Sequence, residues 1–429
     1  MDTSVLTSGG ATADQLAVRR HNLSLVLSHL RRSGPRSRAR IADETGLNKT
    51  TVSSLVAELT ERGLVEKGEA ERGGVGRPGQ AIRLNGGHHF AVGSEINVDY
   101  VSALAMNLQG EVVSERRIPL DTARLERAVV LRQLVAIITG LVDRLQAAGA
   151  RPVGVTVAVP GLVESATGTV VIAPNLGWCQ APILQEITSL MGWLMLPIHL
   201  DNDANLAALA ELQARWGTDS GHLLLLTGAV GVGGGLVSGG QLIRGSQGFA
   251  GEVGHMQIDP GGKACGCGHR GCWETVIGLN AFLSRAADPE DPVRDPALDV
   301  LQRLEEVVAR ASVGDGRTLA ALEATGIWMA RGAGLLVNLF NPEIIVLGGY
   351  FAVLGPWLTD PLRAALPERV FAPEAGGCRL ELSRLGFSAA DRGGALRALS
   401  LVFADPAGVS GPNRSFVPPS GFSQEKRFS

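Results

Sequence analysis

The chain has 429 residues, of which 45% are hydrophobic and 19% charged, with 56 glycines and a net charge of −3. This length allows two or three domains, and the composition excludes a disordered protein, a coiled coil and a single small module. The first residues lack a basic start followed by an apolar core, and the longest apolar run, residues 128–142, is interrupted by Arg132 and Gln133. We therefore expect no membrane span and a cytoplasmic protein.

Charge is unevenly distributed along the chain. Residues 16–84 carry 13 Lys and Arg against 7 Asp and Glu, so this part is basic although the whole chain is weakly acidic. A basic segment favours contact with a polyanion. We expect residues 1–15 to be a flexible N-terminus and residues 16–85 to form a separate domain.

Three helices are predicted in this basic domain. Apolar residues recur with helical spacing over residues 23–30, and shorter patterns predict helices over about 38–44 and 49–62. Asn48 is suited to cap the third helix, and Gly63 stands where a left-handed C-terminal residue is favoured. This spacing is typical of a helix-turn-helix, in which the second helix of the pair enters the major groove of DNA.

The third helix has an apolar inner face and a polar outer face near its N-terminus. The outer face combines one lysine with small hydroxyl side chains, which suit phosphate contact and permissive contact with base edges. The predicted DNA-contacting residues on this helix are Lys49, Thr50, Thr51 and Ser54.

A hairpin wing is predicted after the third helix. Residues 64–67 and 81–84 are strand-like, and the glycine-rich residues 73–79 join them. Arg77 lies at the tip, where it is placed to reach a narrow minor groove. Two alternatives stay open: Arg77 is a solvated loop residue, or the winged helix docks a protein instead of DNA.

From about residue 88 the pattern changes to apolar strands that alternate with helices, which predicts an α/β architecture. Two strand-glycine units suggest two related lobes. The candidate strands are residues 90–96, 153–159, 196–200, 223–227 and 344–347. Residues 405–429 are rich in Pro, Gly and Ser, so we predict a disordered tail.

A metal site is predicted from one histidine and three cysteines. These are His255, Cys265, Cys267 and Cys272, which form a four-ligand set suited to tetrahedral zinc. A closed set leaves no coordination position for chemistry, so the zinc is expected to be structural. The alternatives are that the cysteines are small core residues, or that His269 replaces one of the four ligands.

A polar pocket is predicted near this site. Residues 201–205 (Asp-Asn-Asp-Ala-Asn) follow a strand and open a helix, where carboxylate and amide groups are suited to bind vicinal hydroxyls. Glu252, His255 and Glu274 add polar groups around the zinc loop. Together they describe a pocket for a polyhydroxylated ligand, although helix capping alone would use one residue of the 201–205 cluster.

Several motifs together resemble the ROK family of repressors and sugar kinases, in its branch of xylose and N-acetylglucosamine repressors. The resemblance covers about residues 16–403. Beside the helix-turn-helix it rests on Val159-Pro160-Gly161, Pro174-Asn175-Leu176-Gly177-Trp178, Asn202-Asp203-Ala204-Asn205, Gly251-Glu252-Val253-Gly254-His255, Asn341-Pro342-Glu343 and the Cys-x-Cys-Gly-x-x-Gly-Cys-x-Glu string over residues 265–274.

The resemblance implies a multi-domain α/β protein: an N-terminal winged helix-turn-helix plus a two-lobed, actin-like (ribonuclease H-like) sugar kinase fold. The first lobe would comprise residues 88–200 plus 385–404, and the second lobe, residues 201–384, would carry the zinc and an oligomerisation surface. Sugar contacts would fall on Asn202, Asp203, Glu252, His255 and Glu274, and zinc ligands on His255, Cys265, Cys267 and Cys272. Asp203 matches the base of the family's kinases.

By the same resemblance the chain is a sugar-responsive DNA-binding regulator, usually a repressor, of carbohydrate metabolism genes. Its expected partners are operator DNA and a sugar or sugar-phosphate effector, and it would form a homodimer or homotetramer.

One segment departs from the kinases and predicts that the chain is not an enzyme. Where the kinases have Asp-x-Gly-Gly-Thr to hold phosphate, this chain has Glu95-Ile96-Asn97-Val98-Asp99. Asp99 replaces a hydroxyl, and a carboxylate near a phosphoryl oxygen is repelled by about 4 kcal/mol at intermediate dielectric. A second glycine-rich stretch, residues 228–235, is retained, so an active ATP-dependent sugar kinase stays open as the alternative.

Overall fold

The structure is a computed structural model and describes residues 9–70, 80–194, 196–215, 221–373 and 378–409. Its N-terminal domain has three helices and a three-stranded antiparallel sheet in the order β1-β3-β2. The elements are α1 (Gly9–Ser33), β1 (Arg36–Ser37), α2 (Arg38–Thr45), α3 (Lys49–Glu61), β2 (Val65–Ala70) and β3 (Gln80–Leu84). This is a winged helix-turn-helix, as predicted. The predicted wing tip, Arg77, lies outside the described residues.

Local caps fix the ends of the helix pair. Asn48 accepts a hydrogen bond at Oδ1 from Thr51 N over 2.7 Å, and Gly63 has a φ of +71°, so both predictions are confirmed. Gly46, in the turn between α2 and α3, has a φ of +74°. The predicted flexible start is too long, because α1 begins at Gly9. Alanine favours helix, so a helix whose later residues are packed in the domain extends readily into a preceding segment that contains alanines.

The first lobe is built on a five-stranded sheet in the order β11-β7-β4-β5-β6. Its elements are β4 (His89–Ile96), β5 (Tyr100–Asn107), β6 (Val112–Pro119), α4 (Arg127–Ala147), β7 (Arg151–Val159), β8 (Leu162–Glu164), β9 (Thr169–Ala173), β10 (Trp178–Ala181), α5 (Ile183–Leu190), β11 (Ile198–Asn202) and α6 (Asp203–Ala214). Strands β8 to β10 form a small second sheet.

The second lobe has a five-stranded sheet in the order β14-β13-β12-β15-β16. Its elements, with the helix that returns to the first lobe, are β12 (Leu223–Gly228), β13 (Val232–Ser238), β14 (Gln241–Leu242), α7 (Glu274–Ile277), α8 (Leu279–Ala286), α9 (Val300–Ser312), α10 (Gly316–Phe340), β15 (Ile344–Gly349), α11 (Tyr350–Val353), α12 (Gly355–Ala365), β16 (Arg379–Leu382) and α13 (Ala389–Ala404).

The two lobes share one topology. In each, three antiparallel strands in sequence order are followed by two strands added in parallel on the side of the first strand. This duplicated arrangement is the predicted actin-like, ribonuclease H-like fold. Within the described part of the chain, no helix is both long and apolar enough to span a membrane.

Helix α13 packs tightly on the first lobe because glycines remove side chains at the contact. A Cβ on Gly93 of β4 would lie 1.7 Å from the Asp391 carbonyl oxygen, and one on Gly393 would lie 1.8 Å from the Leu206 carbonyl oxygen. Helix α6 in turn contacts α13 on one side and β13 of the second lobe on the other. The two helices therefore lie between the lobes.

The DNA-binding domain and the first lobe share one hydrophobic core. Leu27 of α1, Leu104 of β5 and Phe403 of α13 belong to the same buried cluster. Ser24 Oγ also donates a hydrogen bond to the Phe403 carbonyl oxygen over 2.7 Å.

The predicted disordered tail begins too early. Residues Pro406–Gly408 form a 3-10 helix, and Arg62 Nη1 donates hydrogen bonds to the carbonyl oxygens of Ala407 and Val409 over 2.7 and 2.9 Å. One guanidinium at the end of α3 thus binds two carbonyl groups that would otherwise need water, which orders this segment. Residues 410–429 of the predicted tail lie outside the described part of the chain.

Candidate functional site

A cleft between the lobes brings together all five predicted sugar-contacting residues. Asn202 ends β11, Asp203 begins α6, and Glu274 begins α7, while Glu252 precedes a short 3-10 helix that ends at His255. All five line one cavity. The polar groups therefore converge because strand and helix ends from both lobes meet at the same edge.

Asn202 mainly fixes the start of α6. Its Oδ1 accepts a hydrogen bond from Asn205 N over 2.9 Å, and its Nδ2 donates to the Gly161 carbonyl oxygen over 3.0 Å. The next residue, Asp203, accepts from Ala204 N over 2.8 Å. Burial raises the pKa of Asp203 to about 6. This carboxyl is held rigidly in the cleft and titrates close to neutral pH.

Glu252 is a second cleft carboxyl with a raised pKa. Burial, the largest cause, raises the pKa of Glu252 to about 7. The charge of His255 lowers this pKa, whereas the charges of Asp203 and Glu274 raise it further. A carboxyl that titrates near neutral pH can accept or donate hydrogen bonds to hydroxyl groups. The pair of Glu252 and Asp203 thus suits a ligand with several hydroxyls.

Glu95 supplies a third carboxyl group to the cleft. From the sequence it is assigned only to the segment that matches the phosphate loop of the kinases. Its two oxygens accept hydrogen bonds from Asn97 Nδ2 over 2.8 Å and from Tyr100 OH over 3.0 Å. Burial first, and then the charge of Asp203, raise its pKa to about 7. Asn175 also lines the cleft. Its signal in the sequence is the Pro-Asn-Leu-Gly-Trp motif, for which no ligand contact is predicted.

Asp99, which the sequence predicts to face a phosphate, does not line the cleft. Asp99 is buried outside the cleft lining, with Oδ2 lying 3.4 Å from Arg303 Nη1 of α9. An ion pair with the second lobe thus holds this carboxylate away from the cleft lining. The residues of this segment that do line the cleft are Glu95, Asn97 and Val98.

The four predicted metal ligands form one cluster. The ligand atoms of His255, Cys265, Cys267 and Cys272 all lie within 4.8 Å of one another. Cys267 Sγ is 3.6 Å from Cys272 Sγ, and Cys265 Sγ is 3.6 Å from His255 Nδ1. Tetrahedral zinc with bonds of about 2.3 Å to sulfur separates its ligands by about 3.8 Å, so the donor set and its spacing fit a metal ion such as zinc.

Two neighbours tie this cluster to its surroundings. Glu274 Oε1 accepts a hydrogen bond from Cys265 Sγ over 2.9 Å and lies 3.8 Å from His255 Nδ1, so the cleft and the cluster share a wall. His269 Nδ1 lies 3.5 Å from Cys267 Sγ. His269 is thus close enough that the alternative of a ligand exchange stays open.

The predicted DNA-contacting face of α3 is accessible. Lys49, Thr50 and Ser54 are exposed and Thr51 is half-buried. Arg19 of α1, which is not among the predicted DNA-contacting residues, adds a cation to this face. Its Nη2 lies 2.6 Å from Glu58 Oε2 and 3.4 Å from Ser54 Oγ. The missed signal is the early start of α1, which brings Arg19 beside α3.

Comparisons with known proteins agree with both parts of the fold. The ROK family matches residues 91–401, and the MarR family matches residues 24–74. A relative named xylose repressor, from Caldicellulosiruptor bescii, is 31% identical over 392 residues, which cover 90% of this chain and 96% of the relative.

Solved structures give the same result. A ROK family transcriptional regulator, described as a homologue of the Escherichia coli MLC protein, superposes with a TM-score of 0.71 at 25% identity and covers 90% of this chain and 97% of its own. A ROK family glucokinase from Streptomyces griseus in complex with glucose and AMPPNP gives a TM-score of 0.63 at 25% identity. It covers 72% of this chain and 99% of its own. With a winged helix-turn-helix joined to two lobes of this topology, the chain belongs to the ROK family.

Proposed function

We propose that this protein is a sugar-responsive, DNA-binding transcriptional regulator that represses genes of carbohydrate metabolism. The observation that carries the proposal is the shared core: a helix-turn-helix with an exposed polar face that starts at Lys49 is packed onto the lobe that forms half of a polar cleft. The similarity to the xylose repressor, which extends over 90% of this chain, supports the same function.

The effector is a sugar bound between the lobes. Asp203, Glu252 and Glu274 offer carboxyl groups, and His255 adds an imidazole on the same wall, so several hydroxyl groups of one ring can be bound at once. With Glu95 the cleft contains four carboxyl groups, which repel a phosphate. An unphosphorylated aldose is therefore favoured over its phosphate.

The Cys3His cluster holds a structural zinc ion. Three thiolates and one imidazole complete a tetrahedral set, and zinc would fix the loop that carries His255 against Glu274. A reduced thiol cluster and a DNA target both fit a protein of the cytoplasm.

An active sugar kinase is the second candidate, and the similarity to the glucokinase of Streptomyces griseus favours it. Against it, Asn97 and Val98, which line the cleft, match the two glycines whose backbone holds phosphate in the family's kinases. ATP should therefore bind poorly, and we propose that the chain is not an enzyme.

DNA binding with a sugar panel tests the proposal. We would measure fluorescence anisotropy of the full-length protein on DNA from its own upstream region, with aldoses and their phosphates added separately. Specific, salt-sensitive binding that one aldose shifts is the expected result. Absence of specific binding, together with ATP-dependent sugar phosphorylation that Asp203→Asn abolishes, would replace the regulator by the kinase.

A further inference from the structure

Asp201 is the first residue of the polar 201–205 cluster, and the cleft gives it no role. Asn202 and Asp203 line the cleft, whereas Asp201 is 4% exposed and does not line it. Its Oδ1 and Oδ2 accept hydrogen bonds from Nη1 and Nη2 of Arg244 over 2.9 and 2.6 Å. The buried carboxylate therefore has a partner that fixes both of its oxygens.

The pair of Asp201 and Arg244 joins the two lobes. Asp201 belongs to β11 of the first lobe, and Arg244 follows β14 of the second lobe. Asp99 and Arg303 also form an ion pair between the lobes, but through one contact of 3.4 Å. Two parallel hydrogen bonds between a guanidinium and a carboxylate define the geometry better than one contact does. The pair of Asp201 and Arg244 is thus the more precisely oriented of these two links.

Each partner of this pair lies next to residues of the proposed sugar site. On the first lobe, Asp201 Oδ1 also accepts a hydrogen bond from the backbone nitrogen of the cleft residue Asn202 over 2.9 Å. On the second lobe, Arg244 begins residues 244–255, which we call the cleft loop. This loop carries two of the five predicted sugar-contacting residues. The ion pair therefore links the first-lobe half of the site to the second-lobe half.

The cleft loop contacts both lobes through glycines. A Cβ on Gly248 would lie 3.8 Å from the Val163 carbonyl oxygen in β8, so the middle of the loop lies against the first lobe. A Cβ on Gly251 would lie 2.4 Å from the Gly234 carbonyl oxygen in β13, so the following part packs on the second lobe. The loop thus lies where any change in the distance between the lobes must alter one of its contacts.

We propose that Arg244 is a positioning residue of the sugar site. Through its ion pair with Asp201 it holds the cleft loop, and with it Glu252, at the distance from Asp203 at which one sugar ring contacts both carboxyl groups. Neither member of the ion pair lines the cleft, so the pair acts through the residues that it places. A site that is already assembled binds its ligand at a lower entropic cost. The inference rests on the proposed sugar-responsive function and adds to it the residue that sets the sugar affinity.

Sugar affinity is the first test. Isothermal titration calorimetry with D-xylose and D-glucose, one aldopentose and one aldohexose, should show that Arg244→Gln raises the dissociation constant by about tenfold or more. Arg244→Lys should have an intermediate effect, because an ammonium group does not match both carboxylate oxygens. The matched control is Arg310→Gln, which breaks a two-point pair with Asp291 inside the second lobe and should change the constant by less than about twofold. An unchanged affinity in Arg244→Gln would overturn the inference.

A double-mutant cycle separates the pairing from general damage to the site. Asp201→Asn keeps the shape of the side chain and an oxygen that can accept from Asn202 N, but it removes the charge. Adding this change to Arg244→Gln should raise the dissociation constant little further, because the contact is already lost. Two factors that multiply in the double variant would show that the residues act independently, which contradicts the proposal.

Hydrogen–deuterium exchange, followed by mass spectrometry, tests the loop without sugar or DNA. Ala250 N donates a hydrogen bond to the Arg244 carbonyl oxygen over 3.1 Å, so exchange in the cleft loop reports whether Arg244 holds it. In Arg244→Gln this exchange should be about tenfold faster, and in Arg310→Gln it should be unchanged. A retained cooperative unfolding transition shows that each variant folds. Unchanged exchange in Arg244→Gln would overturn the inference. Faster exchange in a protein whose native form lacks specific DNA binding would remove the regulator function and leave the positioning role of Arg244 standing.

Discussion

Arg31 Nη2 donates a hydrogen bond to Gln213 Oε1 over 2.8 Å. Arg31 lies in α1 of the DNA-binding domain, where its guanidinium also covers the Phe403 ring at 4.6 Å. Gln213 lies near the end of α6, and the first residue of that helix is the cleft residue Asp203. A single helix of 12 residues therefore joins the cleft to the domain that contacts DNA.

Removing this contact should weaken the response to sugar. In Gln213→Ala, we expect the sugar-induced change in DNA affinity to fall several-fold, because a hydrogen bond of about 1 kcal/mol between α6 and α1 is lost. Affinity for the sugar itself should stay within about twofold. Anisotropy titrations with and without sugar measure both quantities. The matched control is the exposed Gln185→Ala, and an unchanged response in Gln213→Ala would argue against a role for this contact.

The outer face of α3 should govern affinity for DNA. Lys49→Ala removes one cation from the exposed start of this helix, so affinity should fall about fivefold on all sequences. The slope of log affinity against log salt should fall by about 0.9. Lys263→Ala, an equally exposed lysine on the second lobe, serves as the control. A loss of the same size in both variants would indicate a nonspecific charge effect.

Loss of one thiolate should empty the metal site. Cys267→Ser should lower the zinc content below one ion per chain, because an incomplete tetrahedral set binds zinc more weakly. Zinc binding contributes on the order of 10 kcal/mol to local folding, so the sugar response should weaken as His255 loses its position. Elemental analysis and sugar titration test this, with the exposed Cys179→Ser as control. Unchanged zinc in Cys267→Ser would overturn the ligand assignment.

Glu95 should make stability depend on pH. Burial raises its pKa from 4.5 to about 7, so the folded state holds this proton more tightly than the unfolded chain. The stabilisation is complete below pH 4.5 and is lost as the pH rises through about 7. Relative to Glu95→Gln, the native protein should thus lose about 3 kcal/mol over this range, at about 1.4 kcal/mol per pKa unit.

Urea unfolding at several pH values between 4.5 and 8 measures that difference. Exposed Glu290→Gln is the control and should run parallel to the native protein. If Glu95→Gln also follows the native protein at every pH, burial does not perturb this carboxyl.

Features set by neighbouring residues could be predicted from the sequence. The cap at Asn48 and the left-handed Gly63 depend on a few adjacent positions, and both are where the pattern placed them. The strands predicted over residues 90–96 and 223–227 lie within β4 and β12 for the same reason. The metal cluster also follows from spacing, because three of its four ligands lie in one short loop.

Features set by distant partners could not be predicted. Asp99 pairs with Arg303, 204 residues away. The sequence around Asp99 therefore does not show where its side chain points. Arg62 orders a segment 345 residues downstream, which composition alone indicates as disordered. For Glu95, nothing local in the sequence shows that its carboxyl lies close enough to Asp203 for the two charges to interact.

The common core of α1, β5 and α13 makes the DNA-binding domain and the first lobe one rigid unit. A sugar that draws the lobes together therefore has little freedom to tilt the recognition helix within its own chain. What it can change is the distance between two recognition helices, when two chains are joined through their second lobes. The regulated quantity is then a length measured along DNA, and an operator whose half-sites are moved apart by a few base pairs should select the opposite ligand state.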